Sequence, residues 1–142
     1  MDCLFCKIVG GEIPAERVAE STNFLAFLDV APVTPGHTLI VPKGHATNLL
    51  ELHEALGNEL VAFTQRVAQA LVAATAASGF NVVMNNGTCA GQAVPHAHLH
   101  VIPRKEGDGI SVHVGSNHRS TPEERKAIRA RIIESIGSTK SS

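Results

Sequence analysis

The chain has little of what secreted, membrane-bound or nucleic-acid-binding proteins contain in quantity. Its 142 residues include three cysteines, no tryptophan and no tyrosine, and the net charge is −1. An odd, small number of cysteines does not form the disulfide framework of a small secreted protein. A net charge near zero provides no electrostatic attraction for nucleic acid or for an anionic membrane. We therefore expect neither of these as a partner.

Long apolar runs are also missing. No stretch approaches the roughly 20 apolar residues of a membrane span, and Met1-Asp2-Cys3 lacks the basic start of a signal peptide. These absences favour a cytoplasmic protein with reduced thiols. The hydrophobic content of 44% and charged content of 18% are those of a globular chain that can bury one core. We expect a single domain over residues 1–142.

The apolar pattern predicts five strands and two helices. In order these are strands 17–20, 23–29 and 38–41, a helix over about 54–77, strands 80–85 and 94–102, and a helix over about 122–136. Gly79 is expected to end the long helix, and Pro103 the last strand. Adjacent strands joined by short turns pair antiparallel. We predict an α+β fold with a mostly antiparallel five-stranded sheet, one long helix and a C-terminal helix.

His96, His98 and His100 stand at alternating positions of the last predicted strand. Such side chains lie on one face of a strand, so three imidazoles are expected together. Three interpretations follow: a hydrogen-bonded structural strand, a three-histidine metal centre with an open position, or nucleophilic catalysis by one imidazole. Imidazole suits the last because most copies carry a free lone pair at neutral pH. His98, with a histidine on either side, is the best-placed nucleophile.

Segment 85–92, Asn-Asn-Gly-Thr-Cys-Ala-Gly-Gln, lies shortly before the histidines. Its glycines allow backbone N–H groups to approach an anion closely, which favours a phosphate site. The alternative is a simple hairpin turn, for which Asn-Gly is a strong signal. Asp29 comes at the end of a predicted strand, where an acid can bind ribose hydroxyls. From the residues alone, an ordinary turn aspartate is the favoured interpretation.

Seven motifs occur in an order and spacing that resemble a known family. They are Cys3-x-x-Cys6-Lys7-Ile8, Gly11-Glu12-Ile13-Pro14, Ala26-Phe27-Leu28-Asp29, Pro35-Gly36-His37-Thr38-Leu39, Asn85-Asn86-Gly87, Gly91-Gln92 and His96-x-His98-x-His100-Val101-Ile102-Pro103. The chain closely resembles the histidine triad (HIT) superfamily, in particular its bacterial Hint-like branch. The resemblance runs from about Cys3 to Arg104. It implies a HIT domain with its core over about 3–104 and a C-terminal segment over 105–142.

The resemblance implies a nucleotidyl hydrolase or transferase that acts at the α-phosphate of nucleotide conjugates. It implies that His98 forms a nucleotidyl-histidine intermediate, with His100 and His37 as further catalytic histidines. The residues implied to bind nucleotide are His98, His100, Asp29 at the ribose, Asn85, Gly91 and Gln92 at the phosphate and leaving group, and Phe5, Ile8, Ile13, Phe27 and Val30 around the base. A homodimer through the long helix and a shared sheet is implied, and no organic cofactor.

The implied substrate is a purine nucleotide conjugate, an AMP or GMP derivative such as adenosine 5′-monophosphoramidate. Alternatives are hydrolysis of dinucleoside polyphosphates, metal-dependent hydrolysis by the three histidines, and a nucleotide-binding regulatory module with negligible turnover. The sequence departs from the family at Ala93, where eukaryotic members often carry a serine that assists the leaving group. Segment 105–142, which shapes the pocket rim in the family, also differs from the eukaryotic tails. Substrate preference therefore stays open.

Cys3-x-x-Cys6 has the spacing of half a zinc site, although two semi-buried thiols near a helix are an equally good interpretation of the pair alone. In bacterial members of the family that carry this pair, zinc can be bound by the two cysteines, a histidine at the position of His45 and the first triad histidine, here His96. The resemblance therefore implies a structural Zn²⁺ on these four residues. His96 would then belong to the metal, and His98 would stay free for attack.

Overall fold

The computed structural model describes residues 2–112, 115–116 and 118–139, with backbone alone for 138 and 139. Its elements are α1 (Leu4–Val9), β1 (Arg17–Glu20), β2 (Phe24–Leu28), β3 (Thr38–Pro42), α2 (Gly57–Thr75), β4 (Gly79–Val83), β5 (Leu99–Arg104) and α3 (Pro122–Thr139). Short 3₁₀ helices lie at Leu49–Glu51, Glu54–Leu56 and Thr88–Ala90. Within the described ranges, no helix combines the length and apolar character needed to cross a membrane.

The five strands form one sheet in the order β1-β2-β3-β5-β4, and every neighbouring pair is antiparallel. This arrangement confirms the predicted α+β fold with its five-stranded antiparallel sheet. β5 lies between β3 and β4, and its His100 stands opposite Leu39 on one side and Val83 on the other. Pairing on both sides therefore fixes the backbone of His100.

Alternation along the strands divides the apolar side chains between two cores. One core joins α2 to the sheet through the buried residues Phe24, Ala26, Ile40, Phe63, Val67, Ala68, Leu71 and Val101. The other joins α1 to the sheet through Cys3, Phe5, Ile8, Leu25, Phe27, Leu39 and Val41. Residues directly opposite each other in a sheet project from the same face. Because His100 pairs with Leu39, it lies on the α1 side, which α2 does not cover.

The first two helices, α1 and α2, differ from the sequence prediction. The pattern does not predict α1, because six residues are too few to show a helical period. α2 ends at Thr75, not at Gly79: Ala76 adopts the left-handed conformation (φ 54°) and its N–H donates to the Val72 carbonyl. Gly79 instead opens β4, where it pairs with Arg104.

The predicted strand 94–102 is wrong in its bounds. β5 begins only at Leu99 and continues through Pro103 to Arg104, so His96 and His98 precede it. Pro103 is tolerated because the pairing with β3 ends at Val101, which leaves β5 a partner on the β4 side only. The prediction that all three histidines share one strand face therefore fails for His96 and His98.

The chain divides into two compact units, residues 1–110 and 111–142. In the second unit, α3 starts at a capping box, where the Glu124 N–H donates to Thr121 Oγ1 and the Thr121 N–H to Glu124 Oε1. The helix passes Gly137 and ends at Thr139, three residues beyond the predicted 136. The single domain over 1–142 stays a prediction.

Candidate active site and metal centre

The structure distributes the predicted site residues over two clusters of ligating atoms. The thiol–imidazole cluster consists of Cys3, Cys6, His45 and His96, and the carboxylate–imidazole cluster of Asp29, His37 and His100. Within each cluster the ligating atoms lie within 4.8 Å of one another. His98 belongs to neither and contacts residues of both. Among the described residues, the three triad histidines do not converge as one set of ligands, which argues against a shared three-histidine metal.

In the thiol–imidazole cluster, a backbone carbonyl decides which nitrogen of His96 carries the proton. His96 Nε2 lies 2.8 Å from the Pro42 carbonyl oxygen, which can only accept, so Nε2–H donates there. In the neutral ring, Nδ1 then carries the lone pair. It points at Cys3 Sγ (3.4 Å), Cys6 Sγ (3.5 Å) and His45 Nδ1 (3.2 Å). Ligating atoms from four residues therefore face a common centre.

This donor set fits a tetrahedral cation. Zn–N bonds of about 2.0–2.1 Å and Zn–S bonds of about 2.3 Å separate tetrahedral ligands by roughly 3.3–3.8 Å. Four of the six separations in this cluster run from 3.2 to 3.5 Å, including 3.3 Å between Cys6 Sγ and His45 Nδ1, and the other two are within 4.8 Å. Burial lowers the pKa of His96, so its ring is held in the neutral form that binds metals. The bond from His96 to Pro42 is the outer contact that orients a metal-binding histidine.

In the carboxylate–imidazole cluster, a backbone N–H sets the tautomer of His37, and the result is again the Nε2–H form. The Val33 N–H donates to His37 Nδ1 at 3.0 Å, so the proton of the neutral ring lies on Nε2. That Nε2–H donates to His100 Nδ1 at 2.9 Å. His100 must then carry its own proton on Nε2. Asp29 lies close to these hydrogen bonds. Its Oδ2 is 3.6 Å from His37 Nε2, and its Oδ1 accepts from the Ala31 N–H.

Both imidazoles of this cluster are neutral at pH 7. Burial lowers the pKa of His37, against the opposing charge of Asp29. Burial also lowers the pKa of His100 to about 4, and the neighbouring His98 and His37 contribute in the same direction. The cluster is therefore a directional row of donors, from the Val33 N–H through His37 to the Nε2–H of His100. Such a row can move or hold a proton without a metal.

His98 is buried, and its ring is oriented by three neighbours. Its Nδ1 lies 2.7 Å from the His96 carbonyl oxygen, so Nδ1–H donates and Nε2 carries the lone pair. Its ring packs edge-to-face on Phe5, with centroids 5.0 Å apart and planes at 86°. The His100 ring lies at the same centroid distance, at 62°. An imidazole whose Nδ1–H is bonded to a carbonyl has Nε2 as the nitrogen available for attack, which is the arrangement that a nucleophile requires.

The segment predicted to bind phosphate is held by its own amide side chains. Gln92 is buried, accepts from the Gly87 N–H at 2.8 Å, and donates to the Thr47 (2.6 Å) and Val94 (3.0 Å) carbonyls. Asn85 Nδ2 lies 3.4 Å from the Gly91 carbonyl oxygen, and Gly91 has φ 96°. The Gln92 side chain thus stabilises the loop conformation through three hydrogen bonds, and Asn85 lies beside Gly91.

The five residues implied to enclose a base are not equally placed. Phe5, Ile8 and Phe27 are buried in the core on the α1 side, and Ile13 packs against it partly exposed. Val30 is fully exposed. The structure therefore brings four of the five together and leaves Val30 on the surface beside Asp29.

Sequence reasoning missed the backbone groups that set the tautomers. The Pro42 carbonyl, the Val33 N–H and the His96 carbonyl decide which nitrogen of His96, His37 and His98 is protonated. It also missed the contact between Phe5 and the His98 ring. Pro42 lies 54 residues from His96 in sequence, so no local pattern signals that contact. The other two contacts are local but depend on a backbone conformation that residue types alone do not specify.

Comparison with known proteins relates these sites to a family. The sequence matches the HIT domain over residues 10–107. "Adenosine 5′-monophosphoramidase hnt1" of Schizosaccharomyces pombe is 39% identical over 137 residues, which is 96% of this chain and 99% of that protein. A solved HIT family protein from Bacillus subtilis superposes with a TM-score of 0.85 at 39% identity, covering 94% of this chain and 96% of that one. A zinc-bound histidine triad family protein from Mycobacterium smegmatis gives 0.74 at 37% identity, covering 97% and 98%.

Proposed function

The chain belongs to the HIT domain family, and from this membership we propose that it is a nucleotidyl hydrolase or transferase acting on purine nucleotide conjugates. The proposed substrates are AMP or GMP derivatives such as adenosine 5′-monophosphoramidate, cleaved at the α-phosphate. The observation that carries the proposal is the bond from His98 Nδ1–H to the His96 carbonyl, since it leaves the Nε2 lone pair available to attack phosphorus.

In the first step, the His98 Nε2 lone pair forms a bond to the α-phosphorus and the bond to the leaving group breaks. A departing amine takes the electron pair of that bond and gains a proton from water, because Ala93 offers no hydroxyl to supply it. The nucleotidyl-imidazole keeps its proton on Nδ1, where the His96 carbonyl stabilises the positive charge. This arrangement makes His98 a good leaving group for the second step.

In the second step, water attacks the phosphorus and loses a proton to the solvent, and His98 departs as the neutral imidazole with the electron pair of the P–N bond. The Nε2–H of His100 donates to the phosphoryl oxygens, whose charge grows in both steps. His37 holds His100 in the tautomer that provides this donor, because its Nε2–H occupies His100 Nδ1. Both histidines therefore serve catalysis in their neutral forms.

The remaining predicted residues are assigned to the nucleotide. Asp29 accepts the ribose hydroxyls with the lone pairs that its bond from Ala31 leaves available. The apolar side chains of Phe5, Ile8, Ile13 and Phe27 enclose the base, and Val30 covers it from the surface once it is bound. Asn85 and Gly91 bind the phosphate and leaving group. Gln92 supports them by holding the loop.

We assign a structural Zn²⁺ to Cys3, Cys6, His45 and His96. The convergence of lone pairs at 3.2–3.5 Å supports this assignment, as does the zinc-bound relative from Mycobacterium smegmatis. When bound, the ion would supply cross-linking of the N-terminal segment to the segment before β5. It takes no part in the two chemical steps.

We also propose a homodimer through α2 and β4. β4 is an edge strand, and its side chains Phe80 and Val82 are 47% and 45% exposed. On α2, Val61 is 59% exposed. An edge strand beside exposed apolar side chains offers a second copy both backbone pairing and apolar contact. Sedimentation of wild-type protein and Phe80→Glu tests this: we expect a dimer and a monomer, and a monomeric wild type would contradict the interface.

The enzymatic proposal is tested by trapping the intermediate. Mixing the protein with a slowly turned-over adenosine phosphoramidate should give, by intact mass, one nucleotidyl adduct per chain. His98→Ala should give none, whereas His118→Ala, an exposed histidine of the second unit, should react like wild type. An adduct on His98→Ala would refute the assignment. Ranking phosphoramidates and dinucleoside polyphosphates by kcat/KM then separates the substrate classes, and AMP binding without turnover would identify a regulatory module.

A further inference from the structure

The loop that joins β2 to β3, residues 29–37, provides the donor that orients the His37 ring. The Val33 N–H donates to His37 Nδ1 at 3.0 Å, although Val33 is 43% exposed. The His37 N–H donates to the Thr34 carbonyl at 3.0 Å, and the Asp29 N–H to the His37 carbonyl at 2.9 Å. These bonds join residues of the loop to one another. They do not attach the loop to the rest of the sheet.

One hydrogen bond attaches this loop to a distant part of the chain. Thr34 Oγ1 donates to the Pro103 carbonyl at 2.7 Å, across 69 positions in sequence. Among the residues that the structure describes, no other hydrogen bond joins segment 30–36 to a residue beyond the loop and its flanking strands. The Gly36 backbone also lies against Pro103, since a Cβ added at Gly36 would be 3.3 Å from Pro103 Cγ. Pro103 is therefore the residue on which the loop is held.

The Pro103 carbonyl is available to Thr34 because β3 ends before reaching it. The pairing of β3 with β5 stops at Val101. The Arg104 carbonyl accepts from the Ser78 N–H on the β4 side of β5. Successive carbonyls of a strand point to opposite sides, so that of Pro103 points to the side that β3 no longer covers. The Thr34 hydroxyl thus supplies the donor that a longer β3 would have provided.

β5 therefore holds both imidazoles of the carboxylate–imidazole cluster. His100 lies on β5 and is paired on both sides. The His37 ring depends on the same strand through the loop that Thr34 attaches. If the Val33 N–H moved away, the His37 proton could transfer to Nδ1, and the Nε2 lone pair would then face His100 Nδ1. His100 would answer by carrying its proton on Nδ1, and its Nε2–H donor would be lost.

We infer that Thr34 is a positioning residue for catalysis, which acts by holding the loop against the Pro103 carbonyl. The attached loop keeps the Val33 N–H on the His37 ring, and the His37 ring keeps the Nε2–H donor on His100. Thr34 itself does not contact the reacting atoms. The inference rests on the proposed function only in taking His100 as the donor to the phosphoryl oxygens. Loss of the hydroxyl slows the chemical step and has little effect on nucleotide binding.

The test compares threonine substitutions in the full chain. Thr34→Val removes the hydroxyl and keeps the shape of the side chain, whereas Thr34→Ser keeps the hydroxyl. Thr64→Val is the matched control, because within the described residues the buried Thr64 Oγ1 has no hydrogen-bond partner. Long-range ¹H–¹⁵N spectra at one fixed neutral pH report the tautomers of His37 and His100, and amide exchange reports the bond of the Val33 N–H. The kcat and KM for an adenosine phosphoramidate are measured on the same samples.

We expect wild type, Thr34→Ser and Thr64→Val to show His37 and His100 protonated on Nε2 only. Thr34→Val should show a mixture of tautomers in both rings, and its Val33 amide should exchange about fivefold faster or more, since one hydrogen bond of ordinary strength is lost. Its kcat should fall about five- to tenfold, while KM changes by less than about twofold because Thr34 makes no proposed contact with the nucleotide.

Thr34→Ala keeps the test decisive if the added methyl of Thr34→Val itself displaces the loop, because it removes the hydroxyl and places nothing against the Pro103 carbonyl. It should match Thr34→Val in tautomers and in kcat. Single tautomers and a kcat within twofold of wild type in both variants overturn the inference, and so does a Thr34→Ser protein as impaired as Thr34→Val. Absence of the nucleotidyl adduct in wild type would instead contradict the proposed function, since ring spectra and amide exchange need no turnover.

Discussion

The two clusters contain histidines four positions apart in sequence, yet they are arranged for different chemistry. In the thiol–imidazole cluster, His96 gives its N–H to the Pro42 carbonyl and turns Nδ1 toward Cys3 Sγ and His45 Nδ1. In the carboxylate–imidazole cluster, His37 receives the Val33 N–H and passes a donor on to His100. A bound cation would stabilise the thiol–imidazole cluster. The carboxylate–imidazole cluster is joined by hydrogen bonds and needs no ion.

The comparison teaches that the backbone partner of each ring determines its role. A carbonyl forces the proton onto the nitrogen it contacts, and an N–H forces it onto the other one. His98 follows the same rule, because the His96 carbonyl holds Nδ1–H and frees Nε2. The roles that we propose for these histidines, metal binding, attack and donation, thus follow from three backbone groups.

The largest expected effect comes from breaking the carboxylate–imidazole cluster alone. His37→Ala removes the donor that fixes the tautomer of His100, and kcat/KM should fall about 100- to 1000-fold. Zinc content should equal that of wild type, because His37 contributes nothing to the thiol–imidazole cluster. Steady-state kinetics and metal analysis on one preparation check both statements. Loss of zinc in this variant would show that the two clusters are not separate.

The converse change breaks the thiol–imidazole cluster. Cys3→Ala removes a buried ligand and should weaken zinc binding at least about 100-fold, equivalent to roughly 2.7 kcal/mol. Competition with a chromophoric chelator measures the affinity. Cys89→Ala is the matched control and should bind zinc like wild type. Equal affinity in the two variants would exclude Cys3 from the site.

The neutral state of His100 predicts a pH dependence of stability. Its folded pKa of about 4 lies below the unfolded value of about 6.5, so the unfolded chain binds more protons between these values. The stability contribution of the neutral ring is complete above about pH 6.5 and decreases as the pH falls toward 4. His100→Asn keeps an acceptor for His37 and removes the titrating ring.

Thermal unfolding at about pH 7.5 and about pH 5 checks this prediction. The drop in Tm between the two conditions should be about 2–4 °C smaller for His100→Asn than for wild type. Protonation of the metal ligands at low pH affects both proteins alike, so the difference between them isolates His100. An identical drop would mean that His100 binds its proton equally well in the folded and unfolded chains.

The smallest expected effect concerns the loop over residues 85–92. Gly91 has φ 96°, and a Cβ added there would lie 3.2 Å from Asn85 Nδ2. Gly91→Ala should lower the free energy of unfolding by about 1–2 kcal/mol and raise KM through displacement of Asn85. Gly44→Ala, with nothing within 4 Å of its added Cβ, should change stability by less than about 0.5 kcal/mol. Denaturant titration and initial rates measure both; equal stability and KM in the two variants would contradict the prediction.

Most of the fold could be predicted because its signals are local. The 3₁₀ helix at Glu54–Leu56 followed by α2 covers nearly all of the predicted helix 54–77, and β1 and β3 lie within one residue of their predicted bounds. The errors have tertiary causes. Pro103 remains inside β5 because β3 ends before reaching it, and α1 forms because its cysteines and Phe5 are held by distant residues. Neither cause can be detected in the local pattern of apolar and polar residues.

The sequence by itself determined the fold class, the family and the set of residues available for chemistry, since these follow from periodicity, composition and motif spacing. The alternation of His96, His98 and His100 predicted three imidazoles on one strand face, and that geometry was wrong. Only the tertiary structure decided that His96 turns to the thiols, His98 to Phe5 and His100 to His37. The physical reason is that a histidine's role depends on which nitrogen is protonated. Here that choice belongs to the carbonyls of Pro42 and His96 and to the N–H of Val33.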